Sequence, residues 1–106
     1  MKINGSLDVP DEAIAEFCRK WKITEFALFG SVLREDFRPD SDIDVLVRFE
    51  TDAPWDLWDI PKMQDELRAL MGREVDLVDK DAIEQSRNPF RRRAILRNSR
   101  VIYTRG

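Results

Sequence analysis

The chain has 106 residues, of which 42% are hydrophobic, and this size limits it to one domain with a single core, so we expect residues 1–106 to form one unit. It contains no histidine and one cysteine, Cys18, which excludes an intramolecular disulfide, a zinc site of cysteine and histidine, and any mechanism with a histidine base. The net charge of −3 is unevenly divided: residues 86–106 carry seven arginines and no carboxylate, whereas the remaining 85 residues have a net charge of −10. We therefore expect an acidic body with a basic C-terminal end.

The first elements follow from the spacing of apolar residues. In "DEAIAEFCRKW", residues 11–21, apolar side chains recur at helical spacing after Pro10, so we predict an amphipathic helix with Cys18 in the core. The short apolar runs "FALFG", residues 26–30, and "IDVLVRF", residues 43–49, predict strands. A second helix is predicted for "DIPKMQDELRALMG", residues 59–72, with a C-cap at its final glycine.

The remaining elements complete a small α/β (α+β) fold. "EVDLVD", residues 74–79, predicts a third strand, and "RVIYT", residues 100–104, a last one. Between them, Asn88 and Pro89 resemble an N-cap and first-turn pair that opens a basic helix over residues 90–97. We therefore expect a small mixed β-sheet covered by helices.

Two aspartates lie at the start of the apolar strand 43–49: Asp42 immediately precedes the strand, and Asp44 is its second residue. Side chains alternate along a strand, so Asp42 and Asp44 point to one face while Ile43, Val45 and Val47 point to the other, where they can pack. Neighbouring carboxylates repel each other, and burial makes each ionised form more costly, so the pair is expected where a cation offsets its charge. Mg²⁺ is suited to this role because it prefers oxygen ligands and keeps positions for substrate phosphates.

Further residues extend this candidate site. Asp76 lies in the next predicted strand and can join the pair if the two strands are neighbours. The Gly30-Ser31 turn allows close backbone approach and offers amide groups and a hydroxyl to a phosphate. Ser41 supplies another hydroxyl, and Arg34 is placed to hold a phosphate oxygen. Each feature alone has a purely structural explanation: an ordinary turn, a hairpin entry, a solvated strand residue or a surface charge. The order and spacing of all of them together favour a site.

The stretch "GSVLREDFRPDSDIDVLV" followed by "VDLV" resembles the minimal nucleotidyltransferases of the DNA polymerase β superfamily. Their pattern is Gly-Ser, a variable spacer, Asp-x-Asp and a third aspartate on a later strand. One difference is that Glu35 follows Arg34 here, where members of the family often have glycine. The resemblance implies a polymerase β-like nucleotidyltransferase fold. It also implies an antitoxin that transfers AMP from ATP to a tyrosine of a helical HEPN ribonuclease toxin.

The same resemblance implies a role for each matching residue. Gly30 and Ser31 would bind the triphosphate, Asp42 and Asp44 would bind two Mg²⁺ ions, and Asp76 would be the third ligand and the base.

Because 106 residues leave no room for a second domain, the acceptor is expected on another chain, so that the protein forms a hetero-oligomer.

Two segments are open to more than one interpretation. The arginine-rich helix could be a solvated face with Phe90, Ile95 and Leu96 turned inward, or a docking surface for an acidic partner. Trp55 and Trp58 are at helical spacing and could be core, or could anchor an interface.

The possible functions and the cellular location also follow from sequence. A non-catalytic antitoxin that only covers its toxin is the main alternative, although the complete set of carboxylates counts against it. A nucleic-acid-binding module is the second, and the acidic body counts against direct binding of this kind. No apolar run approaches membrane length and no signal sequence is recognisable, so we expect a cytoplasmic protein.

Overall fold

The computed structural model describes residues 2–4, 7–8, 10–33, 42–56 and 58–105. Within these ranges the chain forms six strands: β1 (Lys2–Asn4), β2 (Leu7–Asp8), β3 (Ile23–Phe29), β4 (Ile43–Phe49), β5 (Val75–Asp79) and β6 (Ser99–Thr104). The same ranges contain four α-helices: α1 (Asp11–Lys20), α2 (Ile60–Met71), α3 (Lys80–Glu84) and α4 (Pro89–Arg97). A single 3₁₀ turn, Gly30–Leu33, follows β3.

Four of these strands form a mixed sheet in the order β5-β4-β3-β6. Strand β3 pairs antiparallel with β4 and with β6, whereas β4 and β5 are parallel. Strands β1 and β2 form a separate antiparallel pair. The predicted architecture, a small mixed sheet covered by helices, is confirmed.

The sheet buries both of its faces under helices. The larger core packs α1 and α2 on one face, where Phe17, Phe26, Val45 and Leu67 meet. The smaller core lies on the opposite face and joins Ala27, Leu46 and Ile83 to the half-buried side chains of α4. Because both faces are covered, β4 is apolar almost throughout, and a polar residue within it stands out.

The buried face and the C-terminal end of helix α2 agree with the pattern of its sequence. Met63 and Leu67 are buried one turn apart on the face that packs against the sheet. At the C-terminal end Gly72 adopts the left-handed conformation, with φ +71°, and its N–H donates to the carbonyl oxygen of Arg68. This cap satisfies a terminal carbonyl and ends the helix where the sequence predicted.

Three elements were not predicted: β1, β2 and α3. Helix α3 has only five residues, which is too short for apolar periodicity to show. Its N-cap is Asp79, whose side chain accepts a hydrogen bond from the Asp81 N–H. Arg48 of β4 holds it on the sheet by ion pairs with Asp81, at 3.6 Å, and with Glu84.

The structure decides the burial of residues in the two segments that the sequence left open. Phe90 is 82% exposed and does not turn inward with Ile95 and Leu96, because α4 touches the sheet only through its second half. Trp58 is 83% exposed and is not a core residue. Trp55, in contrast, packs edge-on against Trp21 with ring centroids 4.9 Å apart, and its Nε1–H donates to the Trp21 carbonyl oxygen.

Over the described part of the chain, none of the helices has the length and apolar character needed to cross a membrane.

Candidate active site

Two carboxylates lie side by side at one end of the sheet. Asp44 in β4 is the register partner of Asp76 in the parallel strand β5. On its other side Asp44 pairs with Phe29 of β3, which in turn pairs with Ser99 of β6. These four residues form one row across all four strands, and adjacent strands are about 4.8 Å apart. The expected proximity of Asp44 and Asp76 is therefore observed.

The alternation of β4 places these acids on the face opposite the larger core. Ile43, Val45 and Val47 are fully buried in that core. Asp44 shares the other face with Leu46, which contacts the smaller core under α3 and α4. Asp42 immediately precedes the strand and is exposed, as is Asp76, while Asp44 is half-buried.

The charges of the three acids act on one another. Burial raises the pKa of Asp44 above its ordinary value, and the neighbouring charges of Asp76 and then Asp42 raise it further. The like charges are thus close enough to make ionisation of Asp44 less favourable than that of an isolated aspartate. This electrostatic strain is what a bound cation would relieve.

The donor set fits a hard divalent cation, since all three side chains offer carboxylate oxygens. Among the residues that the structure describes, no group of three potential ligand side chains is already arranged around a metal position. The fit therefore rests on the chemistry of the donors and on their mutual repulsion.

Gly30 approaches this acidic end more closely than any other residue type could. Its φ is +76°, a left-handed conformation that residues with a side chain rarely adopt. A Cβ atom built at this position would lie 2.4 Å from Asp44 Oδ2. Both the backbone conformation and the contact with the carboxylate therefore require glycine.

Three other candidate residues cannot be placed. The backbone of Ser31 belongs to the 3₁₀ turn after Gly30, but its side chain lies outside the described part of the structure. Arg34 and Ser41 also lie outside the described residues. Their roles at the site stay predictions.

The basic C-terminal helix lies beside the Gly-Ser turn, a proximity that was not predicted from the sequence. Gly30 and Leu33 share a cavity of about 510 Å³ with Ala94 and Arg97 of α4. The connection results from the pairing of β6 with β3, which brings Ser99 beside Phe29 at the end of α4. No local pattern in the sequence indicates this long-range pairing.

A larger cavity, of about 790 Å³, lies at the opposite end of β4 and β5. It is lined by Phe49 and Trp55, with Leu77 and Asp79 from β5. Its lining includes none of Asp42, Asp44 and Asp76, which lie at the starts of these two strands. Its size therefore does not make it the candidate centre.

The family match agrees with this geometry. The nucleotidyltransferase domain family matches residues 11–102, a range that contains the whole four-stranded sheet except the end of β6. The chain belongs to the nucleotidyltransferase family. The resemblance seen in the sequence is thus confirmed at the level of the family and the fold.

Two relatives of this nucleotidyltransferase have names that specify a protein as acceptor. It is 40% identical over 76 residues to MJ0128 of Methanocaldococcus jannaschii, named as a candidate protein adenylyltransferase, with 72% of each chain covered. It is 36% identical over 69 residues to the protein adenylyltransferase MntA of Thermococcus cleftensis, covering 65% of this chain and 68% of the relative.

Solved structures share the fold of this nucleotidyltransferase. A chain from a toxin-antitoxin crystal structure with AMP-PNP aligns with a TM-score of 0.70 at 19% identity, covering 92% of this chain and 75% of that one. A chain from the complex of a tri-AMPylated Shewanella oneidensis HEPN toxin with an MNT antitoxin aligns with a TM-score of 0.57 at 18% identity, covering 90% and 70%. At these identities the likeness shows the fold alone.

Proposed function

We propose that this nucleotidyltransferase transfers AMP from ATP to a hydroxyl group of a protein, and that it acts as the antitoxin of a HEPN-type toxin. One observation carries the proposal: Asp44 lies beside Asp76 and against Gly30, which joins a carboxylate pair to a glycine turn at one end of the sheet. The names of the two relatives support a protein acceptor. The HEPN toxin in the Shewanella complex supports this class of partner.

The reaction is an in-line displacement at the α-phosphorus of ATP. The acceptor oxygen forms a bond to the α-phosphorus, the bond from that phosphorus to the β-phosphate oxygen breaks, and pyrophosphate leaves. The proton of the acceptor hydroxyl passes to a base. The products are a protein with AMP in phosphodiester linkage and pyrophosphate.

The proposal gives each residue of the candidate site a role. Asp42 and Asp44 would hold two Mg²⁺ ions together with Asp76, which would also take or orient the acceptor proton. When bound, these ions would neutralise charge on the phosphates and lower the pKa of the acceptor hydroxyl. A carboxylate base is then sufficient, and the absence of histidine is no obstacle.

The glycine turn would receive the triphosphate. Because Gly30 has no side chain, its backbone lies directly against the Asp44 carboxylate, so a triphosphate bound at the turn would lie beside a metal ion held by that carboxylate. The Ser31, Arg34 and Ser41 side chains are proposed as further phosphate contacts. A tyrosine of the toxin is the proposed acceptor, because its hydroxyl can reach the sheet edge from another chain.

Mass spectrometry tests the proposal. A HEPN-type toxin co-purified with this chain is incubated with Mg²⁺ and ATP, and its intact mass is compared with that from an Asp42→Ala, Asp44→Ala double variant. The expected result is a gain of one or more AMP units with the wild type alone. A stable complex without any gain, for each of the four nucleoside triphosphates, would instead support an antitoxin that acts by binding alone.

A further inference from the structure

Helix α4 buries less of its surface than helices α1 and α2 do. It contains no buried residue, whereas α1 and α2 each bury three. Only Ile95 and Leu96 pack against the sheet. Phe90, at the start of the helix, leaves 82% of its surface in water, which forgoes the free energy that burial of an aromatic ring provides.

Phe90 belongs to one face of this helix. Phe90, Arg93, Ala94 and Arg97 follow the spacing of three, four and seven residues that places side chains on a single helical face. We call these four residues the α4 face. It points away from Ile95 and Leu96, the two residues that anchor the helix.

The α4 face lies in a concentrated positive field. The surrounding arginines are all exposed: Arg87, Arg91, Arg92, Arg93, Arg97 and Arg100. No ion pair involving any of these six occurs in the described portion of the chain, although Arg48, Arg68 and Arg105 each pair with an acid. Their charge is therefore available to an external group.

The α4 face adjoins the candidate active site. Ala94 and Arg97 line the same cavity of about 510 Å³ as Gly30. Two residues after Arg97, Ser99 is in the cross-strand row with Asp44, two strands away, a separation of about 10 Å. The α4 helix and Asp44 also share one side of the sheet. A macromolecule bound to this face can thus extend to the carboxylates.

We propose that the α4 face docks an acidic surface patch of the protein that carries the acceptor hydroxyl. Exposed aromatic and arginine side chains are the types that dominate protein interfaces, and arginine forms bidentate bonds with carboxylates. Opposite charges also accelerate the encounter of the two chains. The proposal rests on the proposed function, since it takes the acceptor to be a protein.

A protein partner matches the charges better than a nucleic acid does. A nucleic acid carries phosphates along its whole length, so a strand crossing α4 towards the site would also meet Asp42, Asp44 and Asp76. A protein can restrict its acids to the patch that meets α4. It can then present a neutral hydroxyl to the carboxylates.

The test compares two variants with two matched controls, using the purified HEPN-type toxin as acceptor. Phe90→Ala and Arg93→Glu alter the α4 face, while neither residue lines the cavity beside Gly30. Arg19→Glu and Lys62→Glu are the controls, since Arg19 and Lys62 are exposed residues of α1 and α2, which pack on the opposite face of the sheet. The measured quantities are kcat and the KM values for the toxin and for ATP.

The α4 variants are expected to raise the KM for the toxin by about 30-fold or more, the size of a single interface hot spot, and to leave the KM for ATP unchanged. Arg93→Lys should cause a smaller increase than Arg93→Glu, because lysine keeps the charge but cannot form the bidentate bonds of arginine. The controls should retain the wild-type KM. An unchanged KM for the toxin in both α4 variants, or an equal increase in the controls, would overturn the proposal.

Direct binding separates this proposal from the proposed function. If the wild type transfers no AMP, the proposed function fails, and calorimetric titration with the same toxin still decides the docking. The docking proposal is supported if Phe90→Ala and Arg93→Glu bind the toxin more weakly than the wild type while the controls do not. It is overturned if these variants bind the toxin as tightly as the wild type, or if the wild type does not bind the toxin. Tighter binding of single-stranded RNA than of the toxin, lost in Arg93→Glu, would assign the face to nucleic acid.

Discussion

The Asp44 carboxylate occupies the space that a side chain at Gly30 would need. A Cβ atom at position 30 would lie 2.4 Å from Asp44 Oδ2, and the φ of +76° disfavours a side chain independently. The glycine of the turn and the first aspartate of the strand therefore form one unit. Neither can change without consequence for the other.

Gly30→Ala is expected to lower both activity and stability. The new methyl group must displace the Asp44 carboxylate, and the left-handed backbone adds a penalty of about 1 kcal/mol or more. We expect a loss of AMP transfer on the order of 10²-fold, since a small misplacement of a reacting group has an effect of this size. Single-turnover transfer and thermal unfolding measure the two effects.

Gly72→Ala is the matched control for this prediction. Gly72 has a similar φ, +71°, but a Cβ atom there would meet nothing within 4 Å. It should therefore show the loss of stability, of about 1 kcal/mol, with wild-type activity. Equal activity in the two variants would contradict the account of Gly30.

Asp44→Asn should lower the transfer activity without lowering the stability. Replacing the carboxylate by an amide removes a like charge beside Asp76 and Asp42, so the melting temperature without Mg²⁺ should stay the same or rise. Transfer activity should fall on the order of 10³-fold, the effect of several kcal/mol of lost transition-state stabilisation. Scanning calorimetry and AMP transfer, each measured with Asp52→Asn as the control, check the two directions.

Mg²⁺ should raise the melting temperature of the wild type and not that of Asp44→Asn, because a ligand stabilises only the state that binds it. A marked loss of stability in metal-free Asp44→Asn would contradict the repulsion that we infer at this end of the sheet.

The sequence was sufficient to predict the carboxylate pair because the signal is local. Side-chain alternation along the strand 43–49 places Asp44 on the face opposite Ile43 and Val45, which are buried as expected. The positions of Asp42 and Asp44 therefore followed from one strand assignment, whereas the position of Asp76 also required β4 and β5 to be neighbours, as the structure shows.

The relation of α4 to the site required the structure. It depends on the pairing of β6 with β3, which joins residues about 70 positions apart, and no spacing within the sequence encodes such a pairing. The exposed position of Phe90 was missed for a related reason, since apolar residues at helical spacing favour a core interpretation, whereas α4 meets the sheet through Ile95 and Leu96.

Cys18 should be unreactive in the folded protein. Its side chain is fully buried between α1 and the sheet, and burial raises its pKa to about 12, against a smaller lowering by Arg19. The thiol therefore stays protonated and shielded at mildly alkaline pH. A disulfide reagent should label it only at the rate of unfolding, and quickly in denaturant; rapid labelling without denaturant would contradict this packing.

Glu66 should make stability depend on pH in the acid range. Burial alone would raise its pKa, but hydrogen bonds from Lys20 and from Trp21 Nε1, with the charge of Lys20, outweigh burial and lower the pKa below the ordinary 4.5. The ionised form thus stabilises the fold above about pH 4.5, and this contribution is lost as the pH falls through the lowered pKa.

Comparison with Glu66→Gln measures this contribution. The wild type should be more stable than the variant at neutral pH, and urea unfolding at a series of pH values should show the difference shrinking in acid. A difference that stays constant across that range would contradict the stabilising role of the ionised side chain.

We propose that this end of the sheet performs nucleotidyl transfer. ATP labelled at either its α- or its γ-phosphate tests this directly, because the two labels show which part of ATP is transferred. Incubation with Mg²⁺ and the HEPN-type toxin should attach the α-label to the toxin and release the γ-label as pyrophosphate, with neither reaction in the Asp42→Ala, Asp44→Ala double variant. Attachment of the γ-label would instead indicate a kinase, and attachment of neither label, despite a stable complex, would contradict the claim.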